Sequence, residues 1–174
     1  AWNNRSNYFV EMHNRDDRKA QVTEFLSFLK DENLLPPKGG CTLDIGCGVC
    51  DYALGLAREG HKAAGIDLSD GMIRGAKQLA EAEGLDLSLY IAPWSDETRR
   101  ELKWDKTFDL TYSIFCPIMF DVENIRAMHE SSKDKCLWIA FSERSDETVD
   151  MLSEHFFGRD SFPWDGKMKA CLDV

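Results

Sequence analysis

The chain has 174 residues, 43% of them hydrophobic, which suits one globular domain with a buried core. Its 31 acidic residues against 21 basic ones give a formal charge of -10, and Arg18–Lys19 and Arg99–Arg100 are its only adjacent basic pairs, so a polyanionic partner such as nucleic acid is disfavoured. With no run near the roughly 18 apolar residues of a membrane span and no signal-peptide segment at its start, it reads as a cytoplasmic protein without a membrane partner.

Val22, Phe25, Leu26 and Leu29 recur at helical spacing, predicting an amphipathic helix over 17–30 that Pro36, Pro37, Gly39 and Gly40 end. The period then switches repeatedly. Strands are predicted over 42–46, 63–67, 87–91, 108–113 and 135–141, and helices over 52–58, 69–83, 95–102, 122–131 and 145–157. Gly60 and Gly84 are natural helix stops. Ser-Asp-Glu-Thr occurs at 95–98 and again at 145–148, each time as a capped helix start with acids at the positive end of the dipole. This alternation predicts an α/β fold: a doubly wound, mostly parallel sheet of at least five strands with helices on both faces. One domain results, divided into an amino-terminal helical lid (1–38), a core (39–157) and a tail (158–174).

The densest chemistry lies at residues 43–50, Leu-Asp-Ile-Gly-Cys-Gly-Val-Cys, followed by Asp67 at the next strand end. Glycines at 46 and 48 let a turn press its backbone against a ligand, and a strand-end carboxylate can accept two ribose hydroxyls. In a doubly wound sheet, ligands rest beyond the carboxyl ends of the strands, where this turn falls. Asp51 stands where a dinucleotide fingerprint has its third glycine, so the pattern favours an adenosyl ligand without phosphates. Cys47 and Cys50 form a Cys-x-x-Cys pair, but no second pair supplies the other ligands of a metal site, and none is expected. The six cysteines, irregularly spaced and partly within apolar runs, read as small reduced hydrophobes.

With these motifs the chain resembles the class I, Rossmann-like, S-adenosylmethionine-dependent methyltransferases. Leu43–Gly48 matches that family's acidic-x-Gly-x-Gly motif, and Gly-Ile-Asp-Leu-Ser-Asp-Gly-Met at 65–72 matches its second; the likeness spans about 17–157. The resemblance implies S-adenosylmethionine as cofactor and S-adenosylhomocysteine as product. It further implies that Asp44 helps place the methionine amino group, that Gly46, Cys47 and Gly48 form the turn beneath it, that Asp67 holds the ribose, and that Leu68 and Met72 flank the adenine.

Three positions depart from the family. Cys50 replaces a usual third glycine, so the turn must accept a Cβ there. After strand three, Ala92, Pro93 and Trp94 stand where an adenine-binding acid is common; Ser95, Asp96 or backbone groups would replace it, and Trp94 either stacks near the ring or packs in the core. Residues 158–174 are too few for the family's last two strands, so the chain reads either as cut short or as a trimmed form whose exposed edge strand makes a homodimer. It also opens on Ala1, so residues upstream are expected.

Ser113 ends strand four beside the cofactor, and Phe115, Cys116 and Pro117 follow it toward the methyl position, which makes them candidate acceptor contacts. The family's Asn-Pro-Pro-Tyr signature for amino methylation is absent there. In the amino-terminal segment, Tyr8 and His13 serve either as lid and proton acceptor or as packing for a leading helix; His61, His129 and His155 read as surface residues. The favoured reading is methyl transfer to a small-molecule acceptor. Its alternatives are a non-catalytic module binding S-adenosylmethionine or S-adenosylhomocysteine, and a protein methyltransferase.

Overall fold

The computed structural model describes residues 2–140 and His155. A 3-10 turn (Trp2–Arg5) leads into α1 (Ser6–His13) and α2 (Asp16–Asp31), then β1 (Cys41–Ile45), α3 (Asp51–Arg58), β2 (Lys62–Asp67) and α4 (Asp70–Glu83). There follow β3 (Leu87–Ile91), α5 (Asp96–Glu101), β4 (Phe108–Ile114), a second 3-10 turn (Pro117–Phe120), α6 (Val122–Ser131) and β5 (Ser132–Ile139). The helix expected over 145–157 and the tail over 158–174 lie, His155 apart, outside the described residues, and so does any test of the homodimer. Among the described residues no helix is long and apolar enough to cross a membrane.

The strands run parallel, as the alternation predicted, and lie in the order β3-β2-β1-β4-β5. Because each helix must return the chain for another parallel strand, α3, α4 and α6 all begin at the carboxyl edge of the sheet. The order reverses between β1 and β4, which opens the crevice where such sheets take their ligands.

Alternation along β1 sorts its side chains. Leu43 and Ile45 join Ile66, Trp94, Trp104, Phe108, Met119 and Met128 in one core layer. The opposite layer gathers Phe25 and Leu29 of α2 with Leu56, Leu110 and Tyr112. Asp44 is the register partner of Tyr112 on β4, so this acid is sunk into the sheet and is 2% exposed.

Local signals explain most boundaries. Ser69 caps α4 by accepting from the Met72 N–H (3.2 Å), Ser95 caps α5 by accepting from the Thr98 N–H (3.1 Å), and Gly84 closes α4 in the left-handed conformation. The largest difference lies at β5, which begins at Ser132 instead of Lys135. There the polar run Ser-Lys-Asp-Lys reads as a turn, yet Ser132 pairs with Phe108 across an irregularity in β4. Backbone pairing supplied by a neighbour overrides that local preference.

Candidate cofactor and acceptor site

The turn after β1 is built from left-handed residues: Gly46 at φ 70°, Gly48 at φ 56° and Cys50 at φ 64°. Gly46 and Cys47 both donate their N–H groups to the Ile66 carbonyl, at 2.9 and 3.2 Å, which lays the turn across the end of β2. A Cβ at position 46 would collide with the Cys116 thiol, whereas one at 48 would meet open space. Gly46 is therefore needed for packing and φ, and Gly48 leaves an approach for a ligand.

Asp67 joins this turn to the next loop. Its Oδ2 accepts the Gly48 N–H at 2.9 Å and its Oδ1 accepts the Ser69 N–H at 2.8 Å. Each oxygen retains further lone-pair capacity for the vicinal hydroxyls of a ribose. Leu68 beside it is 67% exposed, as a contact for a flat ring requires. Met72, expected on the other side of that ring, is instead buried with Val49, Leu54 and Leu79. It lies on the inward, apolar face of α4 that also carries Ile73, Ala76 and Leu79, and that face packs into the core.

Asp44 lies beneath the turn. Burial pushes its pKa up to about 8, partly opposed by the Tyr112 hydroxyl, and the neighbouring charges of Asp67 and Asp51 add to the rise. Its Oδ2 is buried with no hydrogen-bond partner among the described residues. Such an orphaned carboxyl oxygen fits an ammonium group, and the open space above Gly48 fits a ligand pressed on backbone, so these residues suit the methionine end of S-adenosylmethionine.

The departure at Cys50 is resolved on β2. Cys50 takes the left-handed conformation that glycine adopts at lower cost, a strain of about 1–2 kcal/mol. Its thiol and that of Cys47 fill the space over Gly65, where a Cβ would come within 2.6 Å of one sulfur and 2.8 Å of the other. Gly65 thus makes room for two side chains in a turn that usually has fewer, a role no motif signalled. Burial and the adjoining Cys50 thiol hold Cys47 well above the usual thiol range. Cys50 is raised as well: the hydrogen bond with Cys47 opposes the rise, but burial together with the nearby acids Asp44, Asp67 and Asp51 exceeds it. Among the described residues no group of side chains has the arrangement of a metal site.

On the far side of the crevice, Ser113 donates its hydroxyl to the Ile45 carbonyl at 2.8 Å and so pins β4 to β1. Phe115 follows at φ 52°, strained for a non-glycine residue, and its ring is 49% exposed. The Cys116 thiol, raised above its ordinary range by burial, rests against Gly46, and Pro117 opens the 3-10 turn that exposes Ile118. Sequence reasoning missed Asn124, whose side chain donates to the Ile118 carbonyl at 3.0 Å and whose own carbonyl accepts the Trp94 indole N–H at 3.0 Å.

Several candidates are engaged elsewhere. Trp94 is 5% exposed and belongs to the core under α5 and α6, not to a ring-stacking surface. The carbonyl of Pro93 is taken by the Thr98 hydroxyl at 2.8 Å, and Ser95 and Asp96 are engaged as helix cap and as partner of Arg99 and Arg100. His13 is 7% exposed, with Nδ1 on Asp51 at 2.5 Å and Nε2 on Glu83 at 3.0 Å, so both ring nitrogens are occupied away from the acceptor turn. Tyr8 is exposed on α1, edge-on to Phe9. Asp51 does not burden the ligand turn with free charge, because His13 and Arg18 hold its two oxygens. His129 is exposed as expected, while His61 is half-buried and its Nδ1 has no partner among the described residues.

Comparison with known proteins agrees with this geometry. Residues 42–134 match the family model described as "Methyltransferase domain", and the chain belongs to that family. Its fold is the Rossmann-like fold of the class I S-adenosylmethionine-dependent methyltransferases. Over 94 residues it is 39% identical to the 23S rRNA (uracil(1939)-C(5))-methyltransferase RlmD of Shewanella amazonensis (strain ATCC BAA-1098 / SB2B), a match covering 53% of this chain and 20% of that protein. A structure described for the conversion of a disulfide bond into a thioacetal group during echinomycin biosynthesis is 27% identical, with a TM-score of 0.60 over 79% of this chain and 59% of that one. Magnesium protoporphyrin IX methyltransferase (ChlM) from Synechocystis PCC 6803 with bound SAH shares the fold at 17% identity and a TM-score of 0.61, over 94% of this chain and 73% of that one. The chain spans between 20% and 28% of the length of the first curated relatives it matches.

Replacing Trp94 separates core from site. Trp94→Ala is expected to lower stability by about 3–5 kcal/mol in urea unfolding, the usual cost of emptying an aromatic core position, while the folded fraction keeps its affinity for S-adenosylmethionine. A lost affinity in a variant shown to be folded would return Trp94 to the site.

Proposed function

We propose that this domain binds S-adenosylmethionine and directs its methyl group to a small-molecule acceptor by in-line displacement. The observation that carries the reading is the pairing of Asp44, with its buried unpartnered oxygen, and Asp67 on either side of the Gly46–Cys50 turn. Asp44 is suited to the ammonium group and Asp67 to the ribose hydroxyls, with Leu68 against the adenine and Gly46, Cys47 and Gly48 beneath. The cofactor supplies an electrophilic methyl on a sulfonium. The chain's share is positional: holding an acceptor atom in line with that methyl removes roughly 7–11 kcal/mol of barrier without a dedicated base. Ser113 fixes the wall of the crevice, and Phe115, Cys116 and Pro117 face the acceptor from it.

Charge supports a small acceptor over RNA, although one relative is named for a ribosomal substrate. Phosphate contacts require uncommitted cations. Near the carboxyl edge, Arg74 is paired with Asp70, Arg99 and Arg100 with Asp96, and Arg126 with Glu123, while the whole chain carries -10. The exposed groups on the acceptor side are apolar, Phe115 and Ile118. A radiolabelled methyl-transfer assay over amine, thiol, phenol and carboxylate acceptors, beside ribosomal RNA fragments, tests the reading. Transfer to a small acceptor supports it, and transfer to RNA alone overturns it.

Two affinities follow. Asp67→Ala is expected to weaken S-adenosylmethionine binding by about 1.5–3 kcal/mol in calorimetry, the range for hydrogen bonds to a charged group. With its pKa near 8, Asp44 is mostly protonated at neutral pH and must lose that proton to face an ammonium ion. Binding near pH 7 is therefore expected to release a proton, visible as a dependence of the calorimetric enthalpy on buffer, and affinity should rise up to about pH 8. Asp44→Asn should abolish that release and slope.

A further inference from the structure

The amino-terminal segment lies along α4, in a track cleared by two glycines. A Cβ at Gly71 would come within 3.0 Å of the Asn3 backbone, and one at Gly75 within 2.7 Å of Val10 and 3.1 Å of Val49. Three contacts tie this segment to the two loops that flank the cofactor. Asn3 Oδ1 accepts the Ser69 hydroxyl at 2.6 Å and the Gly71 N–H at 3.2 Å, immediately beyond Asp67. Val10 packs with Val49, inside the glycine turn. His13 closes on Asp51, the first residue after that turn.

We propose that residues 3–13 form a strap that braces the Gly46–Cys50 turn against the Asp67–Gly71 loop, with Asn3 and His13 as positioning residues that set cofactor affinity. The proposal rests on the cofactor reading above. Gly48 and Ser69 belong to different loops yet donate to one carboxylate, so a shift of either loop would rotate Asp67 away from the ribose. The strap holds both loops from outside and touches neither the ribose nor the ammonium position. It is a device of preorganisation, which raises affinity by removing an ordering cost.

His13 makes the strap responsive to pH. Asp51 and Glu83 face it from α3 and α4 and hold its pKa above the usual 6.5 against the effect of burial. Arg58 of α3 approaches Nε2 at 3.4 Å but is itself bound to Glu83, and Arg18 and Lys19 of α2 line the same cleft. A raised histidine stabilises the folded strap fully below pH 6.5, and that contribution is lost as pH rises through the folded pKa.

Calorimetric titration with S-adenosylmethionine from pH 6 to pH 9 tests the strap on the wild-type chain and on Asn3→Ala, His13→Gln and His13→Arg. At pH 6, Asn3→Ala and His13→Gln should each bind about tenfold more weakly than wild type, within the usual range of coupling between sites. The ratio of wild-type to His13→Gln affinity should shrink toward one by pH 9, and His13→Arg, which keeps a cation able to face both carboxylates, should restore affinity and remove that convergence. Amide exchange on the wild type gives a readout that needs no variant: protection of Gly48 and Ser69 should fall together as His13 deprotonates. Variants that melt earlier but bind as tightly as wild type at every pH, or protection unchanged with pH, would overturn the strap and leave the cofactor site standing. A wild-type chain that fails to bind S-adenosylmethionine overturns both readings.

Discussion

The site depends on one carboxylate satisfying two backbone amides from different loops. A parallel strand ends with its last N–H and C=O groups facing the loops, and buried or half-buried amides there need partners. At the end of β2, Asp67 supplies them to Gly48 and Ser69, so the cofactor turn and the start of α4 share a single anchor. The Ile66 carbonyl does the same for Gly46 and Cys47. The crevice at the reversal of strand order is therefore shaped by the ends of β1 and β2 before any ligand enters it, and the remaining side chains are disposed around that anchor.

The sulfur atoms show how a local departure from a family pattern is absorbed. Cys50 brings a Cβ and a thiol into a turn suited to glycine, and backbone strain alone would not make room for them. Room comes from Gly65 on β2 and from the alanines Ala53, Ala63 and Ala76, which form a seam of small residues around Cys50. On the other side of the turn the exchange is reversed: Gly46 gives up a side chain so that Cys116 can rest against it. Because close packing fixes volume, each added group on this turn is matched by an omitted one opposite. The pushed-up thiol pKa values follow from that enclosure and make Cys47 and Cys50 packing groups.

The parallel sheet was legible because parallelism follows from alternation, and alternation is periodic; the strand order was not. Val22, Phe25 and Leu29 fall in the core where their spacing puts them, and Asp44, Gly46, Gly48 and Asp67 converge because strand-end motifs carry their own geometry. What escaped the sequence depends on partners distant along the chain. Trp94 follows a strand at a cofactor-like position, yet Asn124, 30 residues later, accepts its indole N–H and draws it into the core. His13 looks like a lid residue until Asp51 and Glu83, 38 and 70 residues away, close on it. Met72 belongs to the second motif, but its place on the inner face of α4 decides where its side chain goes. Long-range pairing of single polar groups has no period, and so no local signature.

Asp44 and Asp51 show what such pairing decides chemically. Both acids are 2% exposed and only seven positions apart, and a buried carboxylate without a partner favours its neutral form. Asp51 meets His13 and Arg18, which carry compensating charge, and becomes part of the scaffold. Asp44 has no cation bound to it among the described residues, and burial, with the nearby charges of Asp67 and Asp51, lifts its pKa to about 8. An acid kept neutral by its surroundings can take its charged form once a cationic ligand supplies the missing partner, so Asp44 favours a ligand with an ammonium group at the expense of releasing its proton. The same burial at Asp51 yields rigidity, because its compensation is already within the chain.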